Sequence, residues 1–398
     1  MSDARGPHSA LMTMAMATGI GAGQAALQFC EALRREGWRV GVVWGSPGRK
    51  GEGEAASAAM RAIGVDVYQL DRVLAPTWPV WRQVHALARD LHPTAIIGIM
   101  QRDRPLAVAL GRWLGVPGIV AAQNQHVFWG SFPVSLAKRL VYGFALRNWA
   151  SLVVCTSEPV RREILEFGVP HHRTAVLPNG IVLAEPRSRD VEDRRAARAE
   201  LGAGPQDVLL VNVGRLDVQK GQDVLIEAFA TCARTRPSVR LALIGDVSPG
   251  PNQKRMAVFA AEVRRRASAT GVADRIHFAG WRSDVARLLA AADGYVHAAR
   301  WEGFSFAVLE AFAARLPVVI TDCSGYPEGF VESKHGWVVP TADPQALARA
   351  IGRLVDLPLA ARESMGQATR DLLNEHYDIR AIGMRFARLV TEAVGRGR

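Results

Sequence analysis

The sequence predicts two α/β halves, each built around a doubly wound parallel sheet, and three observations support this prediction. Short apolar runs alternate with segments of helical periodicity along most of the chain. The helical segments are about a dozen residues long, which is the length that a crossover between parallel strands needs. The alternation is interrupted by a connector rich in Arg, Glu and Pro, residues 185–205, and then resumes, and the length of 398 residues also favours two domains.

The first half opens with an apolar run at residues 10–17, which predicts a strand and not a signal peptide because glycines follow it. The elements predicted after it are helix 25–36, strand 40–44, helix 80–90, strand 95–99, helix 105–114, strand 119–122, strand 152–156, helix 159–167 and strand 175–178. This order predicts a Rossmann-like half.

The second half repeats the pattern and is also predicted to be Rossmann-like. Its predicted elements are strand 208–213, helix 223–234, strand 240–244, helix 255–270, strand 276–278, helix 284–291, strand 294–297, helix 306–314 and strand 318–321. Parallel sheets of this kind bind ligands at their carboxyl edges, so we expect two such edges facing an interdomain cleft.

The composition excludes several classes of protein. Hydrophobic residues make up 49% and charged residues 22%, which excludes disorder of the whole chain. The longest apolar stretch, residues 106–122, is interrupted by Arg112, so no membrane span is expected. The four cysteines lack the spacing of a zinc site and indicate buried thiols in a reducing cytoplasm.

The chain is basic, with a net charge of +11, of which residues 1–180 contribute +7. A field of this sign attracts phosphorylated ligands or an anionic membrane surface. No motif of a nucleic-acid-binding protein accompanies the charge, so nucleic acid is not an expected partner.

Residues 214–221 form a loop that directly follows a predicted apolar strand and precedes a helix. Arg215 and Lys220 lie five residues apart in it, and glycines at both ends admit a close approach of the backbone. Such a loop can clamp a diphosphate, although its residue order is not that of a Walker A loop. Two solvated loop charges would explain the same residues.

A second loop places Glu302 after a strand and Glu310 within the following helix. The backbone amides of residues 304–306 lie between them at a helix N-terminus, which favours an anion. A carboxylate beside an anion needs a hydroxyl or a cation to bind, and a sugar supplies hydroxyls. A helix-capping acid followed by a surface glutamate is the alternative.

Five motifs make the sequence similar to the GT-B glycosyltransferases of family 4. They are P-N-G-I at 178–181, G-R-L-x3-K-G at 214–221, R-I-H-F-A-G at 275–280, E-G-F-x5-E at 302–310 and L-P-V-V-I-T-D at 316–322. The resemblance covers nearly the entire chain, and the joint order of the motifs is highly specific. It implies a GT-B architecture with an acceptor-binding domain at 1–182, a nucleotide-sugar-binding domain at 183–378 and a C-terminal helix at about 379–398 that packs on the first domain.

The resemblance also implies an activity. Members of this family transfer a sugar from a nucleotide donor with retention, which gives an α linkage. We therefore expect a hexosyltransferase that uses a UDP- or GDP-sugar and a glycan or lipid-linked acceptor, in lipopolysaccharide or other polysaccharide biosynthesis. A nucleotide-sugar epimerase of the same fold and a non-catalytic nucleotide-sugar-binding subunit are the alternatives. No D-x-D motif occurs, so no metal or other cofactor is expected.

Roles for individual residues follow from the resemblance. Arg215 and Lys220 would hold the donor diphosphate, Glu302 the hydroxyls of the transferred sugar, and Glu310 the ribose. Removing either cation is expected to spare the fold. Further donor contacts are assigned to Gly214, Gly245, Gly280, Trp281, Arg282, Gly303, Phe304 and Ser305.

The first half departs from the family pattern. The family's Gly-Gly turn is matched here by Gly21 without its neighbour, with Gly23 two positions on, and tight strand-to-helix packing would explain both. The histidine of many members is matched by Asn124, with His126 two positions beyond it. These residues are candidates for phosphate, acceptor or sugar contacts, and a packed loop histidine is the alternative for His126.

Residues 132–150 predict a helix in which Lys138, Arg139 and Arg147 alternate with aromatic and aliphatic residues. Basic and aromatic residues together are typical of a helix at an anionic membrane surface. We therefore expect a cytoplasmic protein that associates peripherally with the inner face of the membrane. A core-packed amphipathic helix is the alternative. Elsewhere, Arg315 stands where members of the family often have a glycine. This departure leaves the identity of the donor sugar undetermined.

Overall fold

A computed structural model describes residues 8–17, 22–47, 52–70, 78–100, 103–122, 132–183, 191–248, 252–323 and 327–396. The chain divides into two compact units. Unit 1 comprises Met1–Gly180 and Ile379–Arg398, and unit 2 comprises Ile181–Asp378. None of the helices within the described ranges is long and apolar enough to cross a bilayer.

Unit 1 is built on a seven-stranded sheet in which all neighbouring strands run parallel, in the order β3-β2-β1-β4-β5-β6-β7. Its strands are β1 (Ser9–Ala17), β2 (Arg39–Pro47), β3 (Asp66–Gln69), β4 (Ala95–Gly98), β5 (Gly118–Ala122), β6 (Ala150–Cys155) and β7 (Thr174–Val176). Its helices are α1 (Ala22–Arg35), α2 (Glu52–Ala62), α3 (Trp78–Leu91), α4 (Arg104–Leu114), α5 (Phe132–Trp149), α6 (Glu158–Glu166) and α14 (Ile379–Arg396). The central strands are continuous apolar runs because helices cover both faces of the sheet.

Unit 2 has a six-stranded parallel sheet in the order β10-β9-β8-β11-β12-β13. Its strands are β8 (Val208–Val213), β9 (Val239–Ile244), β10 (Ile276–Gly280), β11 (Gly294–His297), β12 (Val318–Thr321) and β13 (Gly336–Val339). Its helices are α7 (Val191–Glu200), α8 (Gln222–Ala233), α9 (Gln253–Ser268), α10 (Val285–Ala291), α11 (Phe306–Ala313), α12 (Pro344–Asp356) and α13 (Leu359–His376). The strand order reverses between β8 and β11, so this unit has the topological switch point at which doubly wound sheets bind ligands.

The helix α14 completes unit 1 although it is the last element of the chain. Phe386 stacks on Phe29 of α1 with 3.8 Å between ring centroids. A Cβ on Gly383 would lie 2.8 Å from the Cβ of Ala32, so the two helices meet closely where glycine stands. The predicted C-terminal helix therefore packs on α1.

The charged connector contains a helix, α7, that an ion pair fixes to the sheet. Arg198 is buried and donates to the carboxylate of Asp293 at 2.8 Å and to the carbonyl of Ala291 at 3.0 Å. Asp293 also accepts a 2.8 Å hydrogen bond from the amide of Leu209 at the start of β8. The connector from residue 191 onwards is thus a docked part of unit 2.

The helix α11 ends in a left-handed turn at a residue other than glycine. Arg315 has φ +58°, its amide donates to Phe312 and the amide of Leu316 donates to Ala311, both at 3.0 Å. This is a Schellman motif, whose left-handed position is usually occupied by glycine. An L-residue there costs about 1 kcal/mol.

Candidate active site

Glycines lie at the carboxyl ends of three neighbouring strands of the unit 2 sheet. The amide of Gly214 donates to Ile244 at 2.9 Å, and that of Gly245 donates to Gly280 at 2.7 Å. Gly245 has φ +135°, and a Cβ on it would lie 2.0 Å from the carbonyl oxygen of Gly214. A side chain at position 245 would therefore collide with the backbone of Gly214, so the ends of β8 and β9 approach this closely only because residue 245 is glycine.

The loop after β8 is held in shape by its own residues. The carboxylate of Asp217 caps a short turn by accepting from the amide of Gln219 at 3.2 Å. Gly221 has φ +65°, and a Cβ on it would lie 2.0 Å from the carbonyl oxygen of Ala298. This close approach brings the first predicted loop to the segment that leads into the second.

Lys220 and Glu302, which are 82 residues apart in sequence, form an ion pair at this edge. The side chain of Glu302 is 9% exposed and that of Lys220 is 16% exposed. Burial would raise the pKa of Glu302, but the charge and hydrogen bond of Lys220 outweigh burial and hold the pKa below its usual value. The carboxylate is therefore ionised and buried beside its cation.

His297, the last residue of β11, was not singled out from the sequence and lies against this pair. Its Nε2 is 3.8 Å from the Oε1 of Glu302 and has no hydrogen-bond partner among the described residues. Burial lowers the pKa of His297 to about 4, so the ring is neutral at pH 7. The sequence signal was a histidine ending an apolar strand immediately before the second loop.

Arg215 is the accessible cation of the site. Its side chain is 41% exposed, lies 3.8 Å from the carboxylate of Asp217, and donates to Gln219 at 3.2 Å. Its backbone carbonyl accepts from the side chain of Gln222 at 2.8 Å. The backbone is thus fixed while the guanidinium reaches solvent, as an anion-binding group requires.

A further residue that sequence reasoning missed, Arg300, connects the two loops. Its guanidinium donates to both carboxylate oxygens of Asp223, at 2.8 and 2.7 Å, and to the carbonyl of Val218 at 2.9 Å. Its amide donates to the carbonyl of Gln219 at 2.8 Å. The relative position of the two loops therefore depends on a bidentate ion pair between residues 77 positions apart.

The N-terminus of α11 contributes buried polar groups. Ser305 is the N-cap residue, and its Oγ is buried without a hydrogen-bond partner among the described residues. Phe304 packs on Tyr377 with 5.6 Å between ring centroids, which fixes the preceding backbone around Gly303. Burial raises the pKa of Glu310, in the second turn of α11, to about 7. These groups are arranged to gain hydrogen bonds from a ligand rich in hydroxyl groups.

The residues after β10 are placed differently from one another. Gly280 ends the strand with φ +66°, and Trp281 beside it is half exposed. Arg282 donates to Asp284 at 2.7 Å and to Glu200 of α7 at 2.9 Å. Its guanidinium therefore belongs to a surface ion-pair network that ties this loop to α7.

Of the residues predicted in the first half, Gly21, Asn124 and His126 lie outside the described residues. Gly23 is buried in the first turn of α1. The helix α5 contains Lys138, and the side chains of Arg139 and Arg147 on it are exposed. These cations lie in unit 1, whereas the ion pair lies in unit 2.

Taken together, two neighbouring loops of unit 2 and the helix α11 carry two cations, two carboxylates and a helix N-terminus. Cations and backbone amides bind a phosphate or diphosphate. Carboxylates suit hydroxyl groups, as do the Oγ of Ser305 and the Nε2 of His297, for which the described residues offer no hydrogen-bond partner. A ligand in which a diphosphate is joined to a polyol fits both the phosphate-binding groups and the hydroxyl-binding groups.

Two sequence families match the chain. The family described as "Glycosyl transferases group 1" matches residues 193–372, and "Glycosyltransferase Family 4" matches residues 20–185. The two matches lie one after the other and fall largely in different structural units.

Similar proteins of known activity are glycosyltransferases. A GDP-mannose-dependent α-(1-6)-phosphatidylinositol monomannoside mannosyltransferase of Mycolicibacterium smegmatis is 31% identical over 301 residues, covering 72% of this chain and 74% of that protein. The D-inositol 3-phosphate glycosyltransferase of Streptomyces scabiei is 32% identical over 221 residues, covering 54% of this chain. The chain matches about half (48%) of the length of that relative.

Solved structures with the same fold include the Anabaena protein HepE in complex with UDP and glucose, with a TM-score of 0.81 and 19% identity. The match covers 97% of this chain and 100% of HepE. Sucrose-phosphate synthase of Thermosynechococcus elongatus matches with a TM-score of 0.77 and 19% identity, over 98% of this chain and 100% of that one. The two parallel-sheet units, the family matches and the mannosyltransferase relative agree, and the chain belongs to the GT-B glycosyltransferases of family 4.

Proposed function

We propose that the chain is a retaining hexosyltransferase that moves a sugar from a nucleotide-sugar donor to a glycan or lipid-linked acceptor and forms an α-glycosidic bond. The observation that carries the proposal is the buried Lys220–Glu302 pair beside the exposed Arg215. A buried carboxylate and two cations at one sheet edge match a donor that is sugar at one end and diphosphate at the other.

In this proposal the two cations act on the leaving group. When the bond between the sugar and the diphosphate breaks, negative charge grows on the departing phosphate oxygens. Lys220 and Arg215 stabilise that charge, and they take the part that a divalent cation plays in other transferases. The catalysis is electrostatic, and no cofactor is required.

The two carboxylates, Glu302 and Glu310, bind the other parts of the donor. Glu302 accepts hydrogen bonds from the hydroxyls of the transferred sugar, with His297 against the same oxygen. Glu310 accepts hydrogen bonds from the ribose hydroxyls. A UDP- or GDP-sugar satisfies this arrangement. Because the Mycolicibacterium smegmatis relative is named as GDP-mannose-dependent, GDP-mannose is the first donor to test.

Product analysis tests the activity. Purified protein is incubated with GDP-mannose, UDP-glucose or UDP-galactose, with and without a membrane lipid extract as acceptor, and the products are separated by mass. A hexosyltransferase forms an acceptor product larger by one hexose and releases the nucleoside diphosphate. An epimerase instead changes the donor without acceptor, and a non-catalytic subunit leaves every donor intact. Either of the last two results would overturn the proposal.

We further propose that unit 1 docks on an anionic membrane surface, on the cytoplasmic side, through α5. Leu140, Val141 and Phe144 are 65%, 64% and 58% exposed on this helix, and Arg139 and Arg147 are exposed beside them. Exposed apolar side chains next to arginines match the interface between lipid headgroups and acyl chains. The Mycolicibacterium smegmatis relative is named for a phosphatidylinositol mannoside, and a lipid acceptor of this kind supports the membrane proposal.

Vesicle co-sedimentation tests this surface. Binding is expected to vesicles containing phosphatidylglycerol, with little binding to neutral ones, and it should weaken as salt rises because the Debye length is only about 8 Å at physiological salt. Lys138→Glu/Arg139→Glu should lose binding. The matched variant Arg385→Glu/Arg388→Glu, which changes two exposed arginines of α14, should retain most of it. Equal binding to both vesicle types, or to neither, would contradict the membrane proposal.

A further inference from the structure

Unit 2 has a cavity of about 580 Å³ at the end of its sheet opposite to the candidate active site. Pro205, Asp293 and Pro317 line it, and they lie just before β8, β11 and β12 respectively. In a parallel sheet the residues before the strands share the amino edge, whereas Lys220 and Glu302 follow the strands at the carboxyl edge. The cavity is therefore separate from the donor site.

Five arginines line this cavity against two carboxylates, so that its formal net charge is +3. Asp293 is already engaged, since Arg194 donates to one of its oxygens at 2.9 Å and Arg198 to the other at 2.8 Å. The remaining cations are Arg195, Arg315 and Arg362, with Glu363 as the other acid. The cavity thus keeps an excess of positive charge after the ion pairs with Asp293 are counted.

Two of these cations have no partner in the part of the chain that the structure describes. No hydrogen bond or ion pair within the described ranges engages the side chain of Arg195 or Arg315, and both residues are exposed. Arg362 donates from Nη1 to Val355 and Leu357 at the end of α12, while its Nε is buried and unpartnered among the described residues. Guanidinium groups are thus available on more than one side of the cavity.

The turn that carries Arg315 is rigid. A Cβ on Gly366 of α13 would lie 2.0 Å from the carbonyl oxygen of Arg315, so the helix packs directly on the turn. Thr369 of the same helix donates to the carbonyl of Leu316 at 3.1 Å. A residue other than glycine in a left-handed conformation held this tightly suggests that its side chain has a use.

We propose that this cavity, which we name the amino-edge cavity, binds a small organic phosphate. The guanidinium groups of Arg195, Arg315 and Arg362 match phosphate oxygens in geometry and charge. Leu316, Pro317 and Leu359 add an apolar wall that an inorganic ion would leave uncovered. The volume is within the range of small-molecule sites and admits a nucleoside monophosphate.

Isothermal titration calorimetry with AMP and with inorganic phosphate tests the proposal. AMP should bind more tightly than inorganic phosphate because it also covers the apolar wall. Arg315→Gly should weaken AMP binding by about tenfold, the usual effect of losing one charge-assisted hydrogen bond, and Arg195→Ala should do the same. The matched variant Arg349→Ala, which removes an exposed arginine of α12 outside the cavity, should bind as the wild type does.

Further measurements identify the site at which AMP binds and the kind of phosphate that the cavity takes. Arg215→Ala, at the donor site, should leave the Arg315-dependent binding unchanged, so the result does not depend on whether the chain is a transferase. Arg315→Gly relieves the left-handed turn, and an unchanged or raised melting temperature will show that lost binding is not lost folding. Co-sedimentation with vesicles of phosphatidic acid tests whether the phosphate of a lipid headgroup binds instead. AMP binding that Arg315→Gly leaves unchanged, or binding to those vesicles without binding to AMP, would overturn the proposal.

Discussion

At the scale of single residues, Lys220 and Arg215 differ in their surroundings although both are cations of one loop. Lys220 neutralises the buried Glu302, whereas the guanidinium of Arg215 is 41% exposed. We therefore keep the expectation that losing the cation spares the fold for Arg215 and replace it for Lys220 with a predicted loss of stability. Breaking a buried ion pair from one side leaves a charge without compensation.

We predict that Lys220→Ala lowers the free energy of unfolding by about 3 kcal/mol, while Arg215→Ala changes it by less than about 0.5 kcal/mol. Both should lower kcat/KM by roughly 10² to 10⁴ because each removes a contact that strengthens as the diphosphate departs. Urea unfolding and steady-state kinetics measure the two effects. The double variant Lys220→Met/Glu302→Gln should regain much of the stability and none of the activity. Wild-type turnover of either single variant would rule out the assigned roles.

The two glutamates should separate binding from chemistry. Glu310→Gln is expected to weaken binding of free UDP or GDP, because it alters the carboxylate assigned to the ribose. Glu302→Gln should mainly lower kcat, since its carboxylate lies where the reacting sugar is expected. Calorimetric binding constants for UDP and GDP, together with kcat for both variants, show whether the two glutamates have these separate roles. If both variants bind nucleotide alike and lose kcat alike, the division of roles is wrong.

Glu310 should also make stability depend on pH. Burial raises the pKa of Glu310 from 4.5 to about 7, so the folded protein holds this proton more tightly than the unfolded chain does. Stabilisation is therefore full below about pH 4.5 and is lost as the pH rises through about 7. The loss is at most ~3 kcal/mol, because the residue keeps some exposure to water.

Urea midpoints between pH 4.5 and 8 measure this loss. Glu310→Gln should remove most of the decline with pH over this window, whereas Glu227→Gln, on the surface of α8, should leave it as in the wild type. A Glu310→Gln profile that still parallels that of the wild type would show that another group is responsible.

At the scale of elements, α14 is predicted to be essential to unit 1. Phe386→Ala removes the ring that stacks on Phe29, and should cost roughly 3 to 5 kcal/mol as a buried large-to-small substitution. Met384, on the same helix, is 57% exposed, so Met384→Ala should cost less than about 1 kcal/mol. Urea unfolding followed by circular dichroism compares them. Equal losses would show that α14 does not depend on this contact.

The sequence predicted most elements correctly because buried parallel strands are continuous apolar runs, as in β8 and β9. It missed α2 and β3. The helix α2 is rich in Ala with a weak apolar stripe, and β3 is a four-residue edge strand of mostly half-buried residues. The elements β13, α12 and α13 were not assigned either, although α12 has a clear apolar face that could have been found.

The site was predicted as two separate loops and is one cluster. Spacing along the chain singled out Arg215, Lys220, Glu302 and Glu310 as candidates, and their roles stay predictions. It could not show that Lys220 and Glu302 form a pair, because residues 82 positions apart meet only through the sheet. The bridge from Arg300 to Asp223 was hidden for the same reason. Arg315 was associated with the donor sugar, but it lies before β12, at the edge opposite to the donor loops.

At the scale of the whole molecule, activity should survive exhaustive EDTA treatment. In the proposed mechanism Arg215 and Lys220 bind the diphosphate, and they would supply the positive charge that a divalent ion supplies in other transferases. Initial rates with the donor identified by product analysis, before and after chelation and dialysis, measure the effect. Loss of activity that Mg²⁺ or Mn²⁺ restores would overturn the metal-independent mechanism.

The order of the units along the chain has a consequence for synthesis on the ribosome. Unit 2 is inserted between Gly180 and Ile379, and its two ends meet at the bridge between Ile181 and Asp378. All residues of unit 2 therefore emerge before α14 does, and this unit can fold first although it is second in sequence. The face of α1 around Phe29 stays uncovered until the last 20 residues, Ile379–Arg398, have been made. Until α14 docks, the new chain therefore carries an open hydrophobic face on unit 1, and such a face is a surface to which chaperones bind.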